Sequence, residues 1–281
     1  MKSACNAAAK ELEIGLKSAK FWATTIAFTV LMLLDTLPDL LLQKHLYGAE
    51  NIYTDVISME MNITWGASYM FWLRFCLFVL PYGCCFYEEY HAKAAKYRLV
   101  RCSAAAYGAS RMVAGPLMTG ISVILSNIIF LCVMKMQGVE LLLWMEDTGM
   151  DVSGLVNAYG LIAEGHEVTL LLLLIAIQAL SGMFFTAMTI MLSAFIRNRY
   201  ILVALPVILF FALDSFSGLW FDNGYTQPEL TNWRVLFFSM MVNGEVAEWA
   251  AVIRTGIYTA VAVVIFSAIF IRGVRKVVEN E

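Results

Sequence analysis

From Val168 to Ile196 the chain runs for 29 residues without a charged side chain, and that run constrains the fold more than any other feature. An α-helix rises ~1.5 Å per residue, and about 20 apolar residues cross the ~30 Å of hydrocarbon in a bilayer. The run therefore exceeds the bilayer, so its helix tilts or projects beyond it. A second apolar run covers 113–133. The whole chain is 60% hydrophobic and 15% charged, whereas soluble domains hold roughly 45–50% and about 25%. No single soluble core hides that much apolar surface, so the expected class is an all-α polytopic membrane protein.

Six stretches qualify as spans: 21–42, 65–87, 112–134, 168–196, 200–219 and 250–271. Ahead of them, residues 1–20 carry Ala8, Leu12, Leu16 and Ala19 at helical spacing, with Lys10, Glu11, Glu13 and Lys17 elsewhere. That pattern predicts a cytosolic amphipathic helix at the membrane surface. Residues 230–243, LTNWRVLFFSMMVN, are apolar but too short to cross, which predicts one or two short re-entrant helices before the last span. Trp220, Trp233 and Trp249 nearby suit the headgroup level. Residues 21–281 thus read as one six-span domain.

Basic residues orient it. Lys2, Lys10, Lys17 and Lys20; Lys93, Lys96, Arg98, Arg101 and Arg111; Arg197 and Arg199; and Arg272, Arg275 and Lys276 make 14 of the 19 Lys and Arg. All fall on one side if both termini are cytosolic, as the excess of cytoplasmic Lys and Arg requires.

Within the spans, Asp35 and Arg74 lie at comparable depth, roughly 10–13 Å below the outer surface at ~1.5 Å per residue. A charge near the bilayer centre costs ~2.5–3.5 kcal/mol on insertion scales, which predicts an intramembrane pair, structural or lining a substrate path. The six cysteines, Cys5, Cys76, Cys84, Cys85, Cys102 and Cys132, all fall in spans or inner segments, so no disulfide framework is expected. Adjacent Cys84 and Cys85 lack the spacer of a metal or redox pair. The three histidines, His45, His91 and His166, sit in links, and no cluster has metal-ligand spacing.

The inner loop 88–111 has helical character: Glu89 and Lys93 stand four apart in the favourable order, among alanines. An acidic pair, Glu88-Glu89, leaves the second span. Lys96-Tyr97-Arg98-Leu99-Val100-Arg101, Ser103, Tyr107 and Ser110-Arg111 then lead into the third. In that order, together with the six spans, the N-terminal helix and the re-entrant segment, the chain resembles the type-2 permease subunits of bacterial ATP-binding-cassette (ABC) exporters. It departs from them at Ala94-Ala95, where many relatives carry a glycine after the acidic pair.

The resemblance implies a subunit that moves a peptide, drug or lipid-like substrate across the cytoplasmic membrane and is not itself an enzyme. No phosphate loop ending in Gly-Lys-Ser/Thr is present, so ATP and Mg would sit on a separate cytosolic ATPase. By carry-over, Glu88, Glu89, Lys93, Lys96, Arg98 and Arg101 would form the ATPase-coupling loop, with Arg197 to Tyr200 a second contact. A second permease subunit and the lipid bilayer are the other partners implied; nucleic acid is not. An accessory or immunity-type membrane protein that moves nothing is the alternative reading. An intramembrane protease would need histidine motifs within spans, and a secondary transporter an internal repeat; neither is found.

Overall fold

A computed structural model of the chain describes residues 2–47, 56–57, 59–60, 71–80, 82–139, 167–221, 241–242, 245–246 and 248–279. In chain order, these form α1 (Lys2–Leu16), α2 (Ala19–Tyr47), α3 (Phe71–Val79), α4 (Cys85–His91), α5 (Ala94–Arg101), α6 (Ala104–Met136), α7 (Glu167–Ser193) and α8 (Arg199–Phe221). A two-residue ladder follows, β1 (Met241–Val242) antiparallel to β2 (Glu245–Val246), and then α9 (Glu248–Glu279). Apart from that ladder, the described residues are helical or in turns.

Four of the helices are long and apolar enough to cross a membrane, over Ala19–Leu46, Ala104–Met136, Val168–Ser193 and Val252–Lys276. They correspond to the first, third, fourth and sixth expected spans. The second is represented by the nine residues of α3, and the fifth by α8. Of the expected re-entrant segment, only Met241 and Val242 are described, and they are extended rather than helical; the remainder lies outside the described residues.

The bundle is built around α6 and α7, which pack along each other; α2 and α9 flank α6, while α9 and α3 flank α7. Its outward faces are apolar. Ile253, Ile257, Val261 and Val264 of α9 and Trp22, Ile26, Val30 and Leu34 of α2 are exposed at helical spacing, the pattern of helices that present one side to lipid. Between α2 and α6 the contact is polar. The hydroxyls of Thr25 and Ser122 lie 2.8 Å apart, and Ser126 Oγ donates to the Thr25 carbonyl at 3.0 Å. Small hydroxyl residues let helix backbones approach where lipid offers no hydrophobic drive.

The expected second span is not one helix. It stops at Val79, turns through 82–84 and restarts as α4. Pro81 lacks the amide hydrogen that would continue the ladder. The Phe78 carbonyl lies in an apolar surrounding, where an unsatisfied backbone group costs several kcal/mol. Two hydroxyls meet it: Thr119 Oγ1 lies 3.1 Å from the Phe78 oxygen and Thr186 Oγ1 2.8 Å, with the hydroxyls themselves 2.8 Å apart.

At the end of the bundle that carries the N-terminus, α1 lies across α6. Gly15 permits this approach, since a Cβ there would stand 2.1 Å from Met118 Sδ. At the opposite end, the first link between spans is not wholly outside. Val56, Ile57, Met59 and Glu60 are all buried, and Val56 and Met59 join Phe28, Leu40, Phe78 and Phe130 in one apolar cluster.

Candidate functional site: an ionic platform at the N-terminal end of the bundle

The loop expected to be one helical handle is two short helices and two breaks. α4 ends at a turn in which Lys93 takes a left-handed backbone, φ 58° and ψ 8°. L-residues other than glycine pay roughly 1–2 kcal/mol in helices of that hand, so the position suited to glycine is Lys93, next to Ala94-Ala95. α5 ends at Cys102, and Ser103 caps α6 by accepting from the Ala106 amide at 3.2 Å.

Four charges interlock beneath this loop. Arg111, on the second turn of α6, is 3% exposed. Its Nη1 is 3.0 Å from Glu11 Oε2 of α1, and its Nη2 donates to Glu89 Oε1 of α4. Arg98 of α5 closes the ring from the other side, with Nη1 2.7 Å from Glu11 Oε1 and 3.2 Å from Glu89 Oε1. Two tyrosines complete the set. Tyr107 Oη donates to Glu89 Oε2 at 2.7 Å, and Tyr82 Oη donates to Glu11 Oε2 at 2.8 Å while accepting from Arg111 Nη1. The Arg111 guanidinium also lies over both rings, 5.3 and 5.5 Å from their centroids. Two cations and two carboxylates balance, and each carboxylate meets both arginines. A buried charge is tolerable only when paired and hydrogen-bonded in this way.

A looser trio adjoins the ring. Glu88 meets Lys20 at the start of α2 and, at 3.6 Å, Arg199 of α8. Arg197 lies 3.7 Å over the Tyr90 ring. The cations Lys20, Arg197 and Arg199 are exposed and Glu88 is half-buried; Lys17 and Glu13 of α1 are exposed. There, the hydrogen bond and charge of Lys17, 2.6 Å away, hold the Glu13 carboxyl below its ordinary range. His91 is exposed and stacks on Tyr87 at 4.3 Å.

Of the six coupling residues expected from sequence, Glu88, Glu89 and Arg98 are engaged within the chain, and Lys93 is exposed at the turn. The side chains of Lys96 and Arg101 lie outside the described residues. The hub the sequence reading missed is Arg111, with Glu11, Tyr82 and Tyr107. Its signal was local: Tyr107 and Arg111 share a helix face at i, i+4, just where an apolar span begins. The outer side of α5 presents Tyr97, 76% exposed, and Val100, 87% exposed.

The expected intramembrane pair is not among the ion pairs of the described residues. Asp35 is half-buried on α2, and no ion pair joins it to Arg74 among the described residues. Arg74 instead interacts electrostatically with Glu60, which the buried first link carries into the bundle.

Compared with protein-family models, with curated proteins and with solved structures, the chain matches none.

Proposed function

We propose that the chain is the membrane-spanning permease subunit of an ATP-driven exporter of the type-2 ABC class, multi-pass in a bacterial cytoplasmic membrane with both termini inside. A separate cytosolic ATPase, holding ATP and Mg, docks on α5, and a second permease subunit completes the complex. The observation that carries this reading is the division of labour on the loop. Glu89 and Arg98 are used inward, to join α1, α4, α5 and α6, while Tyr97 and Val100 face outward with Lys93.

Large apolar side chains on a short helix outside the hydrocarbon gain ~1.5–3 kcal/mol each when a partner covers them. A push on α5 then moves Glu11 and Arg111 with it, because the ring links all three helices. Motion of a docked ATPase is thereby delivered to α1 and to α6.

The test is purification of the tagged protein from its native membrane in mild detergent, alongside Tyr97→Glu/Val100→Glu. The expected result is a Walker-motif ATPase bound to the unaltered protein and absent from the variant, with both in the membrane fraction. No ATPase with either, under conditions that preserve a known complex of this class, overturns the permease and leaves an accessory membrane protein that moves nothing.

A further inference from the structure

The ring beneath the loop is neutral, but the looser cluster beside it is not. Lys20 of α2 and Arg199 of α8 meet the two oxygens of one carboxylate, Glu88 of α4. Arg197 adds a third cation, held over the Tyr90 ring of the same short helix. Neither α2 nor α8 has an acid in its first turn, so three positive charges stand against one negative charge. The side chains of Lys20 and Arg199 are 57% and 51% exposed. Exposed pairs are weak, and Glu88 therefore leaves most of that positive charge open to a second anion.

The place of these cations along their helices decides which anion fits. α2 exposes Trp22 and Ile26 just beyond Lys20, and α8 exposes Ile201 just beyond Arg199. At ~1.5 Å per residue, each apolar face starts about 3 Å from its cation. α3 packs against both helices, and Leu80 at its end is exposed as well. Leu202 of α8 joins Val79 and Cys84 in one cluster, which fixes the start of α8 beside the break between α3 and α4. Tyr200, 84% exposed between cation and apolar face, is a side chain suited to the headgroup level. A soluble anion would use the charge and leave the apolar side chains bare. A phospholipid of net negative charge meets both, with guanidinium groups matched to its phosphate oxygens.

We propose that Lys20 and Arg199, with Arg197 beside them, seat the phosphate of one anionic phospholipid, whose acyl chains lie on the exposed apolar side chains of α2 and α8. The site requires only that the bundle stand in a membrane. It does not depend on the permease reading, and its test contains no ATPase.

The experiment is lipid titration of the purified full chain in a neutral maltoside detergent, read by native mass spectrometry. The probes are phosphatidylglycerol, phosphatidylcholine and inorganic phosphate. The unaltered protein is expected to retain one phosphatidylglycerol roughly tenfold more tightly than phosphatidylcholine, and inorganic phosphate should not displace it. Lys20→Gln/Arg199→Gln should lose that preference. Lys10→Gln/Lys17→Gln removes the same charge from exposed positions of α1 and should keep it. All four positions are exposed, so the variants are expected to fold; thermal unfolding of each checks this, and Lys20→Gln and Arg199→Gln singly repeat the measurement if the double variant fails. Equal loss in the two double variants means diffuse attraction to the charged end of the bundle and overturns the site. Displacement by inorganic phosphate means a site for a soluble anion and does the same. If these cations instead seat an acidic protein, the two lipids bind alike, and the proposal falls.

Discussion

Two charged clusters anchor this molecule, and they are built on opposite plans. At the N-terminal end, Arg111, Arg98, Glu11 and Glu89 form a ring in which every charge has two opposite neighbours and two tyrosines add hydrogen bonds. Deep in the bundle, Arg74 and Glu60 interact with two amides as support. The first arrangement ties four helices together. The second joins a link to a bundle. Redundancy suits a platform on which several helices meet.

The largest effect should come from Arg111→Met, which leaves Glu11 and Glu89 to share Arg98 alone. We expect ~3–5 kcal/mol of destabilisation, seen as a fall in the thermal midpoint, together with faster amide exchange over α1. Next, Arg74→Met should cost about as much alone but should be largely restored by adding Glu60→Gln, because both charges are then gone. Arg111→Met with Glu89→Gln should recover only in part, since Glu11 and Arg98 then balance each other but α6 has lost its ion pairs to α1 and α4. Equal recovery in both pairs, measured by the same unfolding assay, would break the distinction between ring and pair.

Smaller still, Glu88→Ala should cost under ~1 kcal/mol and lose its effect in high salt, as exposed pairs do. Smallest of all, Lys93→Gly should raise stability by no more than ~1 kcal/mol by relieving the left-handed backbone at the turn. A loss of stability there would mean that the Lys93 side chain has a structural partner.

The helices long enough to cross a membrane were legible because they rest on hydropathy summed over many residues, and α1 because its apolar positions recur at helical spacing. Three features were not. The break after Val79 comes where Thr119 and Thr186 stand beside the Phe78 carbonyl, a coincidence of three helices that no window on one of them contains. The partner of Arg74 was misplaced because depth along a hairpin identifies residues at one level but not a link that folds inward; Val56, Ile57 and Met59 around Glu60 were the available hint. The platform was half legible: the acidic pair and Arg98 stood out in the loop, but the charges that meet them, Glu11 and Arg111, lie 87 and 13 residues from Arg98.

The Phe78 carbonyl, met by two threonine hydroxyls, stands where the second span divides into two pieces with different anchors. Its upper piece, α3, is pinned to α6 and α7 at that carbonyl, while its lower piece, α4, belongs to the platform. The two pieces remain linked across the break, where the Gly83 amide donates to the Val79 carbonyl at 2.8 Å. α6, continuous from Ala104 to Met136 with Pro116 within it, is the member that runs from the platform to the far end of the bundle without such a division.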